Sequence, residues 1–459
     1  MAVNERDFVL DILTEHERSG ASVSRLVSKA LDEHPDLPLS ERAFIKRLSE
    51  GTVERREELD KRIRGLLKNP DGVIKPRVLW LLRMSVYMIY YMDSVPDHAA
   101  CDEAVRILKR RRMLEYTGFV NGVLRNICRQ KNKEAAVPET KTDDASEKQT
   151  VAAPSLTVPS FVKKMWEETY GEEDTQKLLA AMLQPRPVCI RFDDRIDEES
   201  IRRTIEQIRG LGGKAEAGRW HSHCWYLRHI PAVNTLPGFR EGLWTVQDES
   251  SQLLGLAAVS DDAEQRPQLI VDVCAAPGGK SIHLAGRVPE AKIISCDISS
   301  AKTKLIRAAA ARMHCGNMEI REQDASEQHT ELLGKADILL CDVPCSGLGV
   351  MTRKRDIREN VSPEKIRSLI SLQKKILRAS AGYVKPGGIL MYSTCTINRD
   401  ENEKMVSWIR RELGFEEEDL AQYLPEGLPG IEKGHVQLLP HVHGTDGFFM
   451  ARLRKPNVL

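Results

Sequence analysis

The chain has 459 residues, a formal net charge of +1, 41% hydrophobic and 29% charged residues. That length is too great for one ordinary core and points to roughly two to four domains. The composition excludes a largely disordered chain, and the balanced charge leaves nucleic-acid binding to be judged from local clusters.

The first residues, up to about Arg129, read as helices. Leu79, Leu82, Val86 and Ile89 recur at helical spacing, and Gly118 to Asn126 reads as a further helix entry. The most apolar run, Val78 to Met92, contains Arg83 and is too short to span a membrane. From Cys101 to Lys133 nine basic residues face three acidic ones, a local charge of +6. Arg106, Arg110 and Arg111 are candidate phosphate contacts there, although a solvated helix face explains the same run.

From Lys131 to Thr157 the composition turns to Lys, Glu, Ala, Thr, Asp, Ser and Pro, as in a flexible linker. Val188 to Phe192 then reads as a strand. Glu198 to Leu211 reads as a helix with Ile201, Ile205 and Ile208 on one face, and Trp225 to Leu227 as another strand. His221, His223 and Cys224 lack a fourth partner nearby and are read as plain strand residues. The expected domains are 1–133, a linker 134–157, a small α+β module 158–240 and a C-terminal domain 241–459.

In that last domain, strands at Leu269–Cys274, Lys292–Cys296, Met318–Arg321, Asp337–Asp342 and Ile389–Ser393 alternate with helices at Ser281–Gly286, Ala301–Met313, Pro363–Tyr383 and Glu401–Leu413. Phe448–Leu453 is a final strand. Alternation of this kind predicts a mostly parallel sheet covered on both faces, a Rossmann-like α/β fold. The whole is expected to be multidomain: a helical bundle, a small α+β module and this α/β domain.

The turn after the first strand reads Cys274-Ala275-Ala276-Pro277-Gly278-Gly279-Lys280-Ser281. Its glycines let backbone approach a ligand. A P-loop would need Gly where Cys274 stands, and the dinucleotide pattern G-x-G-x-x-G is absent. Asp297 ends the second strand, 23 residues after Cys274, where an acid accepts hydrogen bonds from ribose hydroxyls. Asp324 ends the third strand and Asp342 the fourth. One such acid is most simply a helix cap; three in register favour a ligand with ribose and adenine but no pyrophosphate, which fits S-adenosylmethionine.

Cys345, in Asp-Val-Pro-Cys-Ser-Gly, and Cys395, in Ser-Thr-Cys-Thr, each follow an apolar strand, where an open α/β sheet places reactive groups. Spacing alone does not say which would attack a substrate. The ten cysteines contain no CxxC and no paired spacing, so neither a metal site nor a disulfide framework is expected. Cys101, Cys128, Cys189 and Cys315 are read as small buried hydrophobes. The start of the chain shows no signal-peptide pattern. A cytoplasmic, membrane-free, monomeric protein with reduced thiols is expected.

Taken together, CAAPGGK, CD, QD, DVPCSG and STCT resemble the RNA cytosine-5 methyltransferases of the RsmB (Sun) type, as do the flanking Val246–Gln252 and His443–Phe449 segments. The helical region is similar to the NusB-like RNA-binding domain of those enzymes. The resemblance implies methylation of cytosine 967 in 16S ribosomal RNA from S-adenosylmethionine. It implies Cys395 as nucleophile and Cys345 in product release. Residues 274–280 with Asp297, Asp324 and Asp342 would hold the cofactor, and Lys280 and Asp342 would act beside the base or the methionine end. Arg353 and Lys354, just after the Cys345 loop, are candidate RNA contacts. A non-catalytic RNA-binding assembly or antitermination factor is the rival reading, and the intact Cys395 and Asp324 argue against it.

The chemistry explains the value of a thiol here. Cytosine carbon 5 is a poor nucleophile, and a thiolate adding to carbon 6 activates it. An unperturbed thiol, with a pKa near about 8.5, is only about 3% ionised at neutral pH. The site must therefore favour the anion.

Overall fold

The computed structural model describes residues 4–34, 36–67, 69–92, 95–135, 158–184, 186–260, 266–354 and 357–457. The chain divides into two compact units, Met1–Thr150 and Val151–Leu459.

Among its described residues the first unit has helices and no strand, the helices lying at Glu5–Ser19, Val23–Asp32, Leu39–Glu54, Arg56–Arg64, Pro76–Tyr91, Asp97–Arg110 and Thr117–Ala135. The Asn4 side chain caps the first helix by accepting from the Asp7 amide at 3.0 Å. Pro76–Tyr91 is the axis of the bundle, buried continuously from Val78 to Ile89. Burial on every side explains why it reads as an apolar run rather than a stripe. Arg83 is tolerated there because its guanidinium donates twice to Asp60, both at 2.7 Å, and lies over the Trp80 ring. The last helix runs to Ala135, past the expected linker start, and the remainder of that linker, 136–157, lies outside the described residues.

The second unit begins with the helix Ser160–Leu183, kinked at Gly171 (φ 82°). A four-stranded antiparallel sheet follows, built from β1 (Val188–Phe192), β2 (Lys214–Ala217), β3 (Cys224–Arg228) and β4 (Trp244–Val246) in the order β2-β3-β1-β4. The helix Glu198–Gly210 covers it, with Ile201, Ile205 and Ile208 packing among Ile190, Phe192 and Trp244. Because β4 pairs with β1, this module extends past the expected boundary at 240. Its leading helix packs elsewhere: Val162, Trp166, Leu178, Leu179 and Met182 share a core with Leu348, Met351 and Ile397 of the C-terminal domain.

The C-terminal sheet contains β5 (Leu269–Asp272), β6 (Lys292–Asp297), β7 (Met318–Glu322), β8 (Ala336–Asp342), β9 (Val384–Thr394), β10 (Glu416–Glu417), β11 (Ile431–Glu432), β12 (His435–Leu438) and β13 (Phe448–Arg454). The order is β11-β12-β13-β9-β8-β5-β6-β7, with β10 beside β13. Strands β5 to β9 are mutually parallel, and β13 adds antiparallel to β9. The chain moves outward from β5 to β6 and β7, then returns to β8 on the other side of β5. The β5–β8 boundary is thus the topological switch point, where such sheets bind ligands at the carboxyl ends of their strands.

Candidate functional site

The turn after β5 contains a cis Ala276–Pro277 peptide and Gly278 at φ 109°, and opens the helix Gly279–Arg287. A positive φ of this size suits Gly and strains other residues, which explains Gly278. A cavity of about 180 Å³ lies against the turn, lined by Gln247, Asp248, Ser251, Asp272, Cys274–Pro277, Gly279, Lys280 and Asp342 among others. Asp272 lies fully buried beneath it and accepts from the Ser281 hydroxyl at 2.6 Å. Burial pushes its carboxyl up to about 7.

Asp297 lies outside this lining. Its carboxylate accepts from the Ala276 and Ile298 amides at 3.1 and 2.8 Å, and Lys302 lies 3.1 Å away. It is therefore fixed to the glycine-rich turn. Asp324 also lies outside the lining and accepts from the Ser326 amide at 2.8 Å, a bond that holds its carboxyl below the usual range.

Lys280 and Asp342 meet across the switch point, Nζ to Oδ2 at 2.6 Å, and Asp342 Oδ1 accepts from the Ser393 hydroxyl at 2.8 Å. Burial works against the ammonium, and the carboxylate outweighs it, so the Lys280 pKa is raised and the side chain stays charged. Its Nζ stands 5.2 Å from the centre of the Phe448 ring.

The loops after β8 and β9 bring Cys345 and Cys395 together, Sγ to Sγ at 3.3 Å. Both are half-buried, so a substrate can reach them. The two differ in their surroundings. Either sulfur can donate in the bond between them; with Cys345 as donor, that bond lowers the Cys395 pKa against burial and the Asp342 carboxylate, aided by the ammoniums of Lys354 and Lys280. The same bond, with burial and the nearby Glu401 carboxylate, raises that of Cys345. This arrangement favours a thiolate at Cys395 and a thiol at Cys345.

The two loops are locked to each other. The Gly349 amide donates to the Cys395 carbonyl at 3.1 Å, and Gly447 donates to the Gly349 carbonyl at 2.9 Å. A Cβ on Gly349 would lie 2.0 Å from the Gly447 oxygen, so only glycine permits this approach. The Trp166 indole donates to the Ile397 carbonyl at 2.7 Å. Glu401 is fully buried and accepts from the Ser346 amide, the Ser346 hydroxyl, Gln373 and Asn398. The residue pattern predicts a helix starting at Glu401. The helix instead begins at Glu403, and the residues before it turn Glu401 inward. Its position just after the Ser-Thr-Cys-Thr loop is the signal that could have marked it.

The candidate RNA contacts divide. Arg353 reaches Asp248 at 2.8 Å and also pairs with Asp446, joining two flanking segments of the site. Burial pushes the Asp446 carboxyl up to about 7. Its neighbour Lys354 is exposed. In the first unit Arg110 pairs with Asp7 and Glu103 at 2.8 and 2.7 Å, and Arg111 pairs with Asp7 and Asp11. Arg106 is 70% exposed, with Glu103 at 3.8 Å.

The remaining cysteines include two further close pairs that the sequence spacing did not reveal: Cys101 with Cys128 at 3.7 Å and Cys189 with Cys224 at 3.4 Å. Cys128 is half-buried rather than buried, while Cys101, Cys189 and Cys315 are buried. The His221 ring stacks on His223, but the side chains whose ligand atoms cluster with its own are those of His283 and Asp194. Burial pushes His221 down to about 4 and His283 down to about 3. Arg287 and Arg191 reach the same Asp194 carboxylate at 3.2 and 3.4 Å, and their positive charges oppose a dication there.

The strand order, the glycine-rich turn at the switch point and the acids on successive strand ends define a Rossmann-like methyltransferase domain following an all-helical unit. Residues 261–454 match the family model for the 16S rRNA methyltransferase RsmB/F, and residues 3–129 match that of the NusB family. The chain is 33% identical to a probable ribosomal RNA small subunit methyltransferase B of Bacillus subtilis, over 98% of both chains. It is 30% identical to a protein of that name from Synechocystis, over 99% of this chain and 100% of the relative. The chain belongs to the RsmB/F family of 16S rRNA methyltransferases. Its fold is shared with the crystal structure of PH0851 at a TM-score of 0.76 and 22% identity, covering 99% of this chain and 100% of that one. NSun6 from Pyrococcus horikoshii, solved with SFG, matches at a TM-score of 0.56 and 21% identity over 65% of this chain and 99% of that one. Among the described residues no helix is long and apolar enough to cross a membrane.

Proposed function

We propose that the protein transfers a methyl group from S-adenosylmethionine to carbon 5 of a cytosine in 16S ribosomal RNA, cytosine 967 by family resemblance, through a covalent adduct on Cys395. The observation that carries this reading is the pair of half-buried thiols 3.3 Å apart beside the Lys280–Asp342 ion pair at the switch point. S-adenosylmethionine, when bound, supplies an electrophilic methyl group on a sulfonium. Residues 274–280, with Asp297 and Asp324, would hold it. The cavity of about 180 Å³ suits its methionine end, since pockets for whole ligands of this size run from about 300 Å³. Ribose hydroxyls would then reach Asp297 outside that cavity.

In this reading the Cys395 thiolate adds to carbon 6 of an unstacked cytosine and makes carbon 5 nucleophilic. Lys280 and Asp342 hold the base edge or the methionine end. Once Cys395 is bonded to carbon, its negative charge no longer holds the Cys345 proton, which passes to water. Cys345 then takes the carbon-5 proton as the carbon–sulfur bond breaks and its electron pair returns to Cys395. Lys354 and Arg106, with Arg110, Arg111 and Arg353 in smaller part, supply phosphate contacts. The helical unit, which runs through Ala135, and the small module, which includes β4, each bind RNA. The protein acts as a monomer in the cytoplasm.

The test is methylation of a 16S rRNA fragment by the purified protein, with bisulfite sequencing and denaturing electrophoresis. The expected result is one new 5-methylcytosine and a protein–RNA adduct that requires Cys395. Methylation of another atom, or turnover by a protein lacking Cys395, would overturn the reading.

A further inference from the structure

Beside the two thiols lies a buried carboxylate, bonded to the loops of both, to which no step has been assigned. Glu401 Oε1 accepts from the Ser346 amide at 2.9 Å and from Gln373 Nε2 at 3.0 Å. Its Oε2 accepts from the Ser346 hydroxyl at 2.5 Å and from Asn398 Nδ2 at 2.8 Å. Four donors on two oxygens match an ionised, acceptor-only carboxylate. Gln373 Nε2 also donates to the Pro344 carbonyl at 3.0 Å, so the peptide groups on both sides of Cys345 are fixed through one network. Ser346 and Thr396, the residues that follow the two cysteines, share a hydroxyl–hydroxyl bond at 2.7 Å. From its own side, Glu401 is held by Tyr392, whose hydroxyl donates to the Glu401 carbonyl at 2.6 Å.

The network is lopsided. It grips the peptide groups on both sides of Cys345, whereas near Cys395 it meets the Thr396 hydroxyl and, three residues away on either side, Tyr392 and Asn398. Its charge is equally one-sided. The groups facing Cys345 are Cys395, Glu401 and Asp342, whereas Cys395 faces Cys345, Asp342, Lys354 and Lys280.

We propose that Glu401 is a positioning residue for Cys345 and thereby controls release of the methylated product rather than formation of the adduct. This rests on the covalent reading above. Its negative charge keeps Cys345 a strong base, and its four bonds aim that base at the adduct.

The experiment compares wild type, Glu401→Gln and Glu401→Asp in methyl transfer to the 16S rRNA fragment. It reads first-turnover methylation, steady-state turnover and the fraction of RNA trapped as adduct, across pH. For Glu401→Gln, steady-state turnover should fall about 100-fold, the scale of a misplaced reacting group, while the first methylation changes less than about threefold. Trapped adduct should accumulate. With the carboxylate gone, the acid-side limb of product release, which rises as Cys345 loses its proton, should move to lower pH. Glu401→Asp should keep the wild-type position of that limb, because the charge remains. Should Glu401→Gln not fold, Ser346→Ala removes one bond to the carboxylate and should also trap adduct, to a smaller extent.

Equal loss of first methylation and turnover, with an unmoved pH profile, would overturn the proposal in favour of a merely structural carboxylate. So would wild-type turnover in Glu401→Gln. If wild type itself forms no 5-methylcytosine, the functional reading is what has failed, and the two outcomes are distinguished by that control.

Discussion

The loop after β8 and the loop after β9 each present a half-buried thiol at the end of a parallel strand, and Asp342 faces both, yet the remaining charges around them are opposite. Cys345 has Glu401 beside it and Cys395 has Lys280 and Lys354. Equivalent places in a sheet therefore give unequal acids, because the acidity of a thiol follows its neighbours rather than its position. The neighbours give the pair a direction, and every prediction below either breaks that direction or sharpens it.

The strongest test removes the thiol beside the two ammoniums. Cys395→Ala should lower methyl transfer by about 10⁴-fold or more, as loss of a covalent nucleophile does. It should leave no adduct on a denaturing gel. If the adduct persists and Cys345→Ala abolishes it, the direction is reversed.

Cys345→Ala comes next. A first methyl group should still be transferred, while turnover falls by about 10²–10⁴-fold, the range for removing a general base. The adduct should accumulate and survive denaturation.

The electrostatic origin of the asymmetry is tested by Lys280→Gln. A raised Cys395 pKa costs about tenfold in thiolate per unit at pH values below it. The acid-side limb of adduct formation should therefore move to higher pH, and activity should recover on raising the pH. A uniform loss at every pH would instead assign Lys280 to holding a ligand.

The smallest effect is expected at the edge of the site. Lys354→Ala should weaken RNA binding a few-fold and reduce the salt slope of the affinity by about one. Salt titration of RNA binding checks this, and an unchanged slope would remove Lys354 from the interface.

Much of the architecture could be read in advance. The parallel strands and their order of chemistry were visible because buried strands in such a sheet are short apolar runs followed by turns. Val188–Phe192 and the helix over Ile201, Ile205 and Ile208 were visible for the same reason. The missed parts depend on distance in sequence. β4 becomes part of the small module only by pairing with β1, and Lys131–Ala135 looked like linker because a helix end and a linker share polar composition. In the site, the two cysteine motifs and the glycine-rich turn were legible as local strings. Gln373 was not, and Glu401 only by its place after the Ser-Thr-Cys-Thr loop, since the donors that bury an acid are not written beside it. Arg353 was read as a phosphate contact, and its partners Asp248 and Asp446 lie 105 and 93 residues away.

The helix Ser160–Leu183 shares its core with Leu348, Met351 and Ile397, and its Trp166 indole closes on the Ile397 carbonyl. This sets the minimum portable enzyme. A fragment starting at residue 241 would carry the whole parallel sheet and both thiols. It would also expose three side chains that hold the thiol loops in place, and leave a buried carbonyl without its donor. Transplanting this chemistry to another RNA-binding partner therefore requires a cut ahead of Ser160.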